Sequence, residues 1–299
     1  MEAERNILVT GYSGQVGFDL VRSLQGLGHI KAPLRGEFDL SNPDSIRTYL
    51  RTHRPTLIVN PAAYTAVDKA EEDRATAFAI NGEAPAVLAD EAKRLGAAVI
   101  HYSTDYVFDG TAARAYCEDD ETSPVNVYGA SKLAGEHALR DAGVPHLIFR
   151  TSWVYSNRGA NFLSTMLRLG REKDELRIVA DQIGAPTWSR TIADLTAHAL
   201  AQGAASPNLS DWIRERSGVY NLTASGEASW ADFAEAIFEL SGLERRPRVE
   251  RISTIEFPRP AARPLNSRMC GGKLKATFGL RAPDWRDALG RCLEESRIG

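Results

Sequence analysis

The chain has 299 residues, of which 43% are hydrophobic and 25% charged. That balance fits a globular protein and excludes a largely disordered one. At this length about 75% of the unfolded surface can be buried, enough to dispense with a disulfide framework or a structural metal. The formal charge of −3 excludes a global basic field for nucleic acid or an anionic membrane.

No apolar run approaches the roughly 18 residues that a membrane span needs. The opening Met1-Glu2-Ala3-Glu4-Arg5 is charged and lacks the apolar stretch of a signal peptide. Cys117, Cys270 and Cys292 are odd in number and far apart, and read as reduced spectators of a cytoplasmic protein. The histidines show no zinc-type spacing, so no metal is expected.

In chain order, residues 6–10 read as a strand and 15–28 as a helix with Val16, Leu20, Leu24 and Leu27 on one stripe. A short strand is expected at 30–34 and a helix at 43–52, with Ser41 or Asn42 as its cap. Next come a strand at 56–60 and a helical stretch at 74–95 that Pro85 kinks or bounds. Strand 97–103, helix 127–142 and strand 146–151 follow. Short apolar strands alternating with helices imply a parallel sheet of right-handed βαβ units, a doubly wound α/β domain over residues 1–150.

Beyond residue 151 the rhythm loosens into a smaller, mixed α/β substrate-binding lobe, some segments of which return to the first domain. Helices are expected at 161–171, 189–202, 230–240 and 285–295, and strands near Ile178 and at 219–222. Residues 204–217 and 257–267 carry loop signals. The stretch 245–263 is locally basic, either a solvated surface or a clamp for a diphosphate.

Gly11, Gly14 and Gly17 sit in the turn between the first strand and the first helix. Glycine there permits a tight turn and close backbone approach, and the helix start turns unpaired N–H groups toward an anion. The expected ligand is a dinucleotide. An acidic residue about 20 positions on would hold a ribose 2′-hydroxyl. None stands between His29 and Gly36, where Arg35 is available for a 2′-phosphate. This favours NADPH and leaves NADH open.

Tyr128 and Lys132 lie four apart in a helical pattern, on one face. A free phenol, with a pKa of about 10, is a poor acid or base at neutral pH. An ammonium about 4 Å away contributes roughly 4 kcal/mol at an effective dielectric of about 20. That is equivalent to lowering the phenol pKa by about 3. The preceding strand ends in Ser103-Thr104-Asp105. Ligands of open α/β sheets sit beyond such carboxyl ends, so Thr104 can share a substrate oxygen with Tyr128.

The G-x-x-G-x-x-G turn, the Ser103-Thr104-Asp105 strand end and the Tyr128/Lys132 pair together resemble the extended short-chain dehydrogenase/reductases. The stretches Val59-Asn60-Pro61-Ala62-Ala63-Tyr64-Thr65, Phe149-Arg150-Thr151-Ser152-Trp153 and Arg263-Pro264-Leu265-Asn266-Ser267 narrow the resemblance. It extends over nearly the whole chain and is to the dTDP-4-dehydrorhamnose reductase family.

The resemblance implies a Rossmann-type fold and NADPH-dependent reduction of the C4 ketone of dTDP-4-dehydro-β-L-rhamnose. It makes Tyr128 the proton donor, with Lys132 holding the nicotinamide ribose and Thr104 bonding the reacting oxygen. Gly11, Ser13, Gly14, Gln15 and Val16 would cradle the pyrophosphate, with Arg35, Asp39 and Leu40 at the adenosine end. Ala62, Ala63, Thr65 and Tyr102 would line the ribose and nicotinamide side. Asp105, Trp153, Gln182 and Arg263 would meet the dTDP-sugar. Some relatives bridge a dimer through carboxylates and a metal; here Arg190 stands near Asp194, so no metal is expected and a homodimer is left open. Two other readings stay open, a 4-ketoreductase of another deoxysugar nucleotide and a non-catalytic regulatory subunit of the methionine adenosyltransferase type. A dehydratase would place a glutamate where Tyr106 stands.

Overall fold

The computed structural model describes residues 5–298; residues 1–4 and Gly299 lie outside them. The first half runs β1 (Asn6–Val9), α1 (Gln15–Ser23), β2 (His29–Lys31), α2 (Pro43–His53), β3 (Leu57–Asn60), α3 (Val67–Glu72), α4 (Arg74–Phe78), α5 (Ala84–Leu95), β4 (Ala98–Thr104), α6 (Val127–Ala142) and β5 (His146–Thr151). The second half runs β6 (Val154–Tyr155), α7 (Phe162–Glu172), β7 (Glu175–Val179), β8 (Ile183–Gly184), β9 (Thr187–Trp188), α8 (Ser189–Gln202), α9 (Leu209–Arg214), β10 (Gly218–Asn221), β11 (Ala228–Ser229), α10 (Trp230–Leu240), β12 (Arg248–Ile252), α11 (Gly272–Phe278) and α12 (Trp285–Ile298).

Six parallel strands form the main sheet in the order β10-β5-β4-β3-β1-β2. Strands β3, β4 and β5 are buried throughout, which is why they read as continuous apolar runs rather than alternating ones. One face packs Ile7, Val59 and Ile100 against α1 and α8. The other packs Leu8, Ile58 and Val99 against α2 and α5. The sheet therefore has helices on both faces, in a doubly wound, Rossmann-like fold. Strand β10 comes from the second half of the chain yet pairs with β5. A separate core gathers Phe233, Ile237, Trp285 and Leu289 from α10 and α12, beside the parallel β7–β12 pair.

Several expectations need correction. The first helix ends at Ser23, and a 3-10 turn at Gln25–Leu27 follows it. Strand β2 stops at Lys31 and is partly exposed at the sheet edge. The stretch 74–95 is interrupted by a π turn at Ala79–Glu83, with Pro85 just after it. The expected loop 204–217 contains α9, whose Ile213 enters the core. Strand β12 and helices α3 and α11 carried no clear periodicity, and α3 and α11 are six and seven residues long.

The cysteines are corrected too. Cys117 and Cys270 form a disulfide pair with Cα atoms 5.2 Å apart, although 153 residues separate them. The bridge between their neighbours Tyr116 and Met269 brings the two segments side by side. Cys292 is free and buried. No helix among the described residues is long and apolar enough to cross a membrane.

Candidate active site

The turn after β1 shows why glycine is needed. Gly11 has φ +56°, and a Cβ there would meet the Cβ of Ala62 at 2.8 Å. At Gly17 a Cβ would lie 2.2 Å from the Gly11 carbonyl oxygen, so only glycine lets α1 start this close to the turn. No side chain caps α1, and its first N–H groups face the cleft that the turn borders.

That cleft has a volume of about 460 Å³. Gly11, Ser13, Gly14, Gln15 and Val16 are among its lining residues, as are Ala62, Ala63, Thr65, Tyr102, Tyr128 and Lys132. An adjoining pocket of about 190 Å³ adds Arg35, Asp39 and Leu40. Asp39 is held below the usual carboxylate range by the Ser41 N–H and hydroxyl, and Arg35 lies 3.7 Å from it. Gln15 Oε1, Ser103 Oγ and Thr151 Oγ1 are buried without a hydrogen-bond partner, and all three residues line the larger cleft. Buried polar atoms are rarely left unpaired. A glycine-lined cradle with three orphaned oxygens fits a polar dinucleotide.

Helix α6 is fixed at its start by Asn126, whose side chain accepts from Gly129 N–H at 2.8 Å. Glu71 of α3 accepts the Val127 N–H at 2.9 Å. Gly143, at φ +65°, closes the other end. These contacts set Tyr128 and Lys132 facing the cleft. Beside them, β4 ends at Thr104, whose hydroxyl donates to Asp105 Oδ1 at 2.9 Å and takes the Tyr106 N–H at 3.2 Å. Thr104 opposes the rise in the pKa of the neighbouring Tyr128 phenol.

The electrostatics depart from the sequence expectation. Tyr128 is pushed up to about 12 by burial, with the Asp105 charge adding to the rise. Lys132 is lowered to about 8, chiefly by burial, with Glu136 opposing. The expected lowering of the phenol by the lysine is therefore not found. The cause is that desolvation is the leading influence on each group, and Lys132 Nζ lies against His101 Nε2 at 3.4 Å. Residue spacing gives the shared helix face but carries no measure of desolvation. Asp105 is pushed up to about 6 by burial, against hydrogen bonds from Ser267 and Thr104.

Trp153 follows β5 in a left-handed conformation, φ +47°. It stacks on Trp230 with ring centroids 3.7 Å apart and planes 8° from parallel. Gln182 is buried behind this pair. Its Oε1 accepts from Trp230 Nε1 at 3.1 Å and its Nε2 donates to Thr254 Oγ1 at 3.0 Å. Both ends of Gln182 are thus engaged. Arg263 donates to Asp68 at 2.8 Å and lies 6.0 Å from the centre of the Tyr106 ring. The basic stretch divides: Arg245, Arg248 and Arg251 pair with Asp174, Glu175, Asp232 and Glu235 on the surface, while Arg259 and Arg263 converge on Asp68.

Sequence reasoning missed Arg158, which lines the cleft with its guanidinium over the Phe18 ring at 3.6 Å. It also missed His101; a lone histidine in an apolar strand gives no spacing signal. Arg190 pairs with Asp194 and Glu295. Among the described residues no cluster of three or more His, Cys, Asp or Glu is placed to hold a metal.

Comparison with known proteins decides the family. The family model described as the RmlD substrate binding domain matches residues 5–298. The chain belongs to the RmlD substrate-binding-domain family. It is 49% identical to a dTDP-4-dehydrorhamnose reductase of Burkholderia thailandensis, over 97% of this chain and 98% of that one. It is 44% identical to the Escherichia coli K12 protein of the same name, over 97% of each. Among solved structures, the Bacillus anthracis dTDP-4-dehydrorhamnose reductase in complex with NADP superposes with a TM-score of 0.89. That match is at 33% identity and covers 98% of this chain and 100% of that one. In this RmlD-family chain the turn, strand end and helix of the motifs meet at one cleft.

Proposed function

We propose that this chain reduces the C4 ketone of dTDP-4-dehydro-β-L-rhamnose to dTDP-L-rhamnose with NADPH. The observation that carries the mechanism is the convergence of Tyr128 and Lys132 with the carboxyl end of β4 on the glycine-lined cleft. The names of the relatives support the substrate and the cofactor.

NADPH, when bound, supplies the hydride that reduces the ketone. Gly11, Ser13, Gly14, Gln15 and Val16 would hold its pyrophosphate. Arg35, exposed at the lip of the smaller pocket, would meet the 2′-phosphate. Thr104 and Tyr128 would hydrogen-bond the reacting oxygen as negative charge gathers there. A phenol that burial keeps protonated is in the correct state to donate, and Tyr128 gives its proton to the nascent alkoxide. Lys132, buried one helical turn on, steadies the phenolate left behind.

Asp105 would accept a hydroxyl of the sugar through its unpaired Oδ2. Trp153, backed by Trp230, would offer its ring to the sugar or base, and Arg263 with Arg259 would meet the diphosphate. Remote contacts of this kind orient the reacting carbonyl. Tyr106, edge-on to Tyr128 at 5.7 Å, occupies the position a dehydratase needs for a carboxylate, which speaks against water elimination. A cytoplasmic location is part of the same reading. Purified protein incubated with dTDP-4-dehydrorhamnose and either NADPH or NADH tests the proposal. Expected is dTDP-L-rhamnose with NADPH the better donor; cofactor binding with no product would support the regulatory-subunit reading.

A further inference from the structure

His101 lies on β4, 1% exposed, with no apolar role of its own. Its Nε2 is 3.4 Å from Lys132 Nζ and its Nδ1 is 3.1 Å from the Asn60 side-chain amide on β3. Asn60 in turn bonds the Thr10 hydroxyl at 2.7 Å, and that hydroxyl takes the Ala62 N–H at 3.3 Å. A buried polar chain therefore runs from the glycine turn across three strands to the lysine of the active site. Polar groups this deep cost the fold least where they are paired.

We propose that His101 is a positioning residue for the reaction: its neutral imidazole accepts a hydrogen bond from the Lys132 ammonium and holds that charge on the cleft side of α6. The inference rests on the assignment of Lys132 to the reductase mechanism.

Lys132 Nζ is buried, and among the described residues no carboxylate forms an ion pair with it. The charged groups around it can be named from each element. Glu136 on α6 acts on it favourably but is itself paired with Arg150 of β5, at 2.7 Å. Tyr128 lies one turn back on α6. From β4 come His101 and, at the strand end, Asp105, which acts on Tyr128. His101 stays neutral because burial, then the Lys132 charge, hold it well below the usual histidine range; His146 adds to this. An ammonium can only donate. Nε2 must then offer its lone pair, so the ring proton sits on Nδ1. The Asn60 oxygen must face Nδ1, with the amide turned over from the placement in which Nδ2 does. Asn60 then donates to Thr10 instead of accepting from it.

The test has two arms. In the first, His101→Leu and His101→Gln are compared with the parent enzyme for NADPH-dependent turnover against pH. Leucine removes the acceptor from the ammonium. Expected for His101→Leu is a kcat about tenfold lower, an unchanged KM for the dTDP-sugar, and an alkaline limb moved about one pH unit lower, as for the loss of one charge-assisted hydrogen bond. Glutamine, which keeps an acceptor, should restore the limb. A His101→Leu enzyme with the parent's kcat and alkaline limb overturns the proposal. So does a glutamine variant as impaired as the leucine one. In the second arm, nitrogen NMR of the unmutated protein reads the His101 tautomer below pH 8. The Nδ1–H form is expected; the Nε2–H form or an imidazolium overturns the proposal, even if both variants fail to fold. Loss of turnover in Tyr128→Phe alongside an unaffected His101→Leu would leave the reductase standing and remove only this inference. No turnover in the parent enzyme would remove the reductase, while the tautomer still decides the contact.

Discussion

Thr104 and Asp105 are neighbours in the chain and are also joined side chain to side chain. The hydroxyl of one donates to Oδ1 of the other at 2.9 Å, and Oδ2 is left buried with no partner. A half-satisfied carboxylate in the interior is costly to the fold and useful to a ligand. Its pKa of about 6, well above that of a free carboxylate, means that the native state holds its proton more tightly. The contribution to stability is full below about pH 4 and is lost as the pH rises through about 6. Asp105→Asn should therefore be more stable than the parent at pH 7 by up to about 3 kcal/mol. The advantage should vanish near pH 3.5, and turnover should fall. Denaturant unfolding at the two pH values checks this; equal stability at pH 7 would show that Asp105 is not strained.

The same two groups set the expected pH profile. In the proposed mechanism substrate binding would use an ionised Asp105, above about 6, and the proton chemistry a charged Lys132, below about 8. kcat/KM, which reports the free enzyme, should be bell-shaped between those limbs. In Asp105→Asn the acidic limb should disappear and the alkaline one remain. An acidic limb that survives the substitution would assign it to another group.

Arg35 is held by one long contact to Asp39 and is otherwise exposed. Arg35→Ala should raise the KM for NADPH about tenfold, consistent with losing an exposed charge-assisted contact to a phosphate. The KM for NADH should stay within about twofold. Equal losses for both cofactors would place Arg35 away from the 2′ position.

Gly184 lies against the Trp153 ring, where an added Cβ would sit 2.6 Å from Cε2. Gly184→Ala must displace the indole. We expect KM for the dTDP-sugar to rise about tenfold or more while NADPH affinity holds, a split that steady-state kinetics and cofactor titration resolve. An unchanged KM would separate Trp153 from substrate binding.

Much of this was legible in the chain because the signals are local. The glycine spacing, the helix bounded by Asn126 and Gly143, and the buried β3–β5 runs all follow from short-range rules. What was not legible depends on long-range approach. The partnership of Cys117 with Cys270 needs the third dimension. So do the β10–β5 pairing, the engagement of Gln182 by Trp230, and the His101–Lys132 contact. The Tyr128 pKa was misjudged for the same reason: the spacing to Lys132 is written in the sequence, while burial is a property of the packed site.

The most direct measurement is turnover of dTDP-4-dehydrorhamnose with NADPH by Tyr128→Phe beside the parent enzyme. The phenyl ring keeps the shape of the site and removes only the transferable proton. Parent turnover, a loss of about 100-fold or more in the variant, and NADPH affinity preserved within about twofold are predicted. A variant that turns over at the parent's rate would contradict the account.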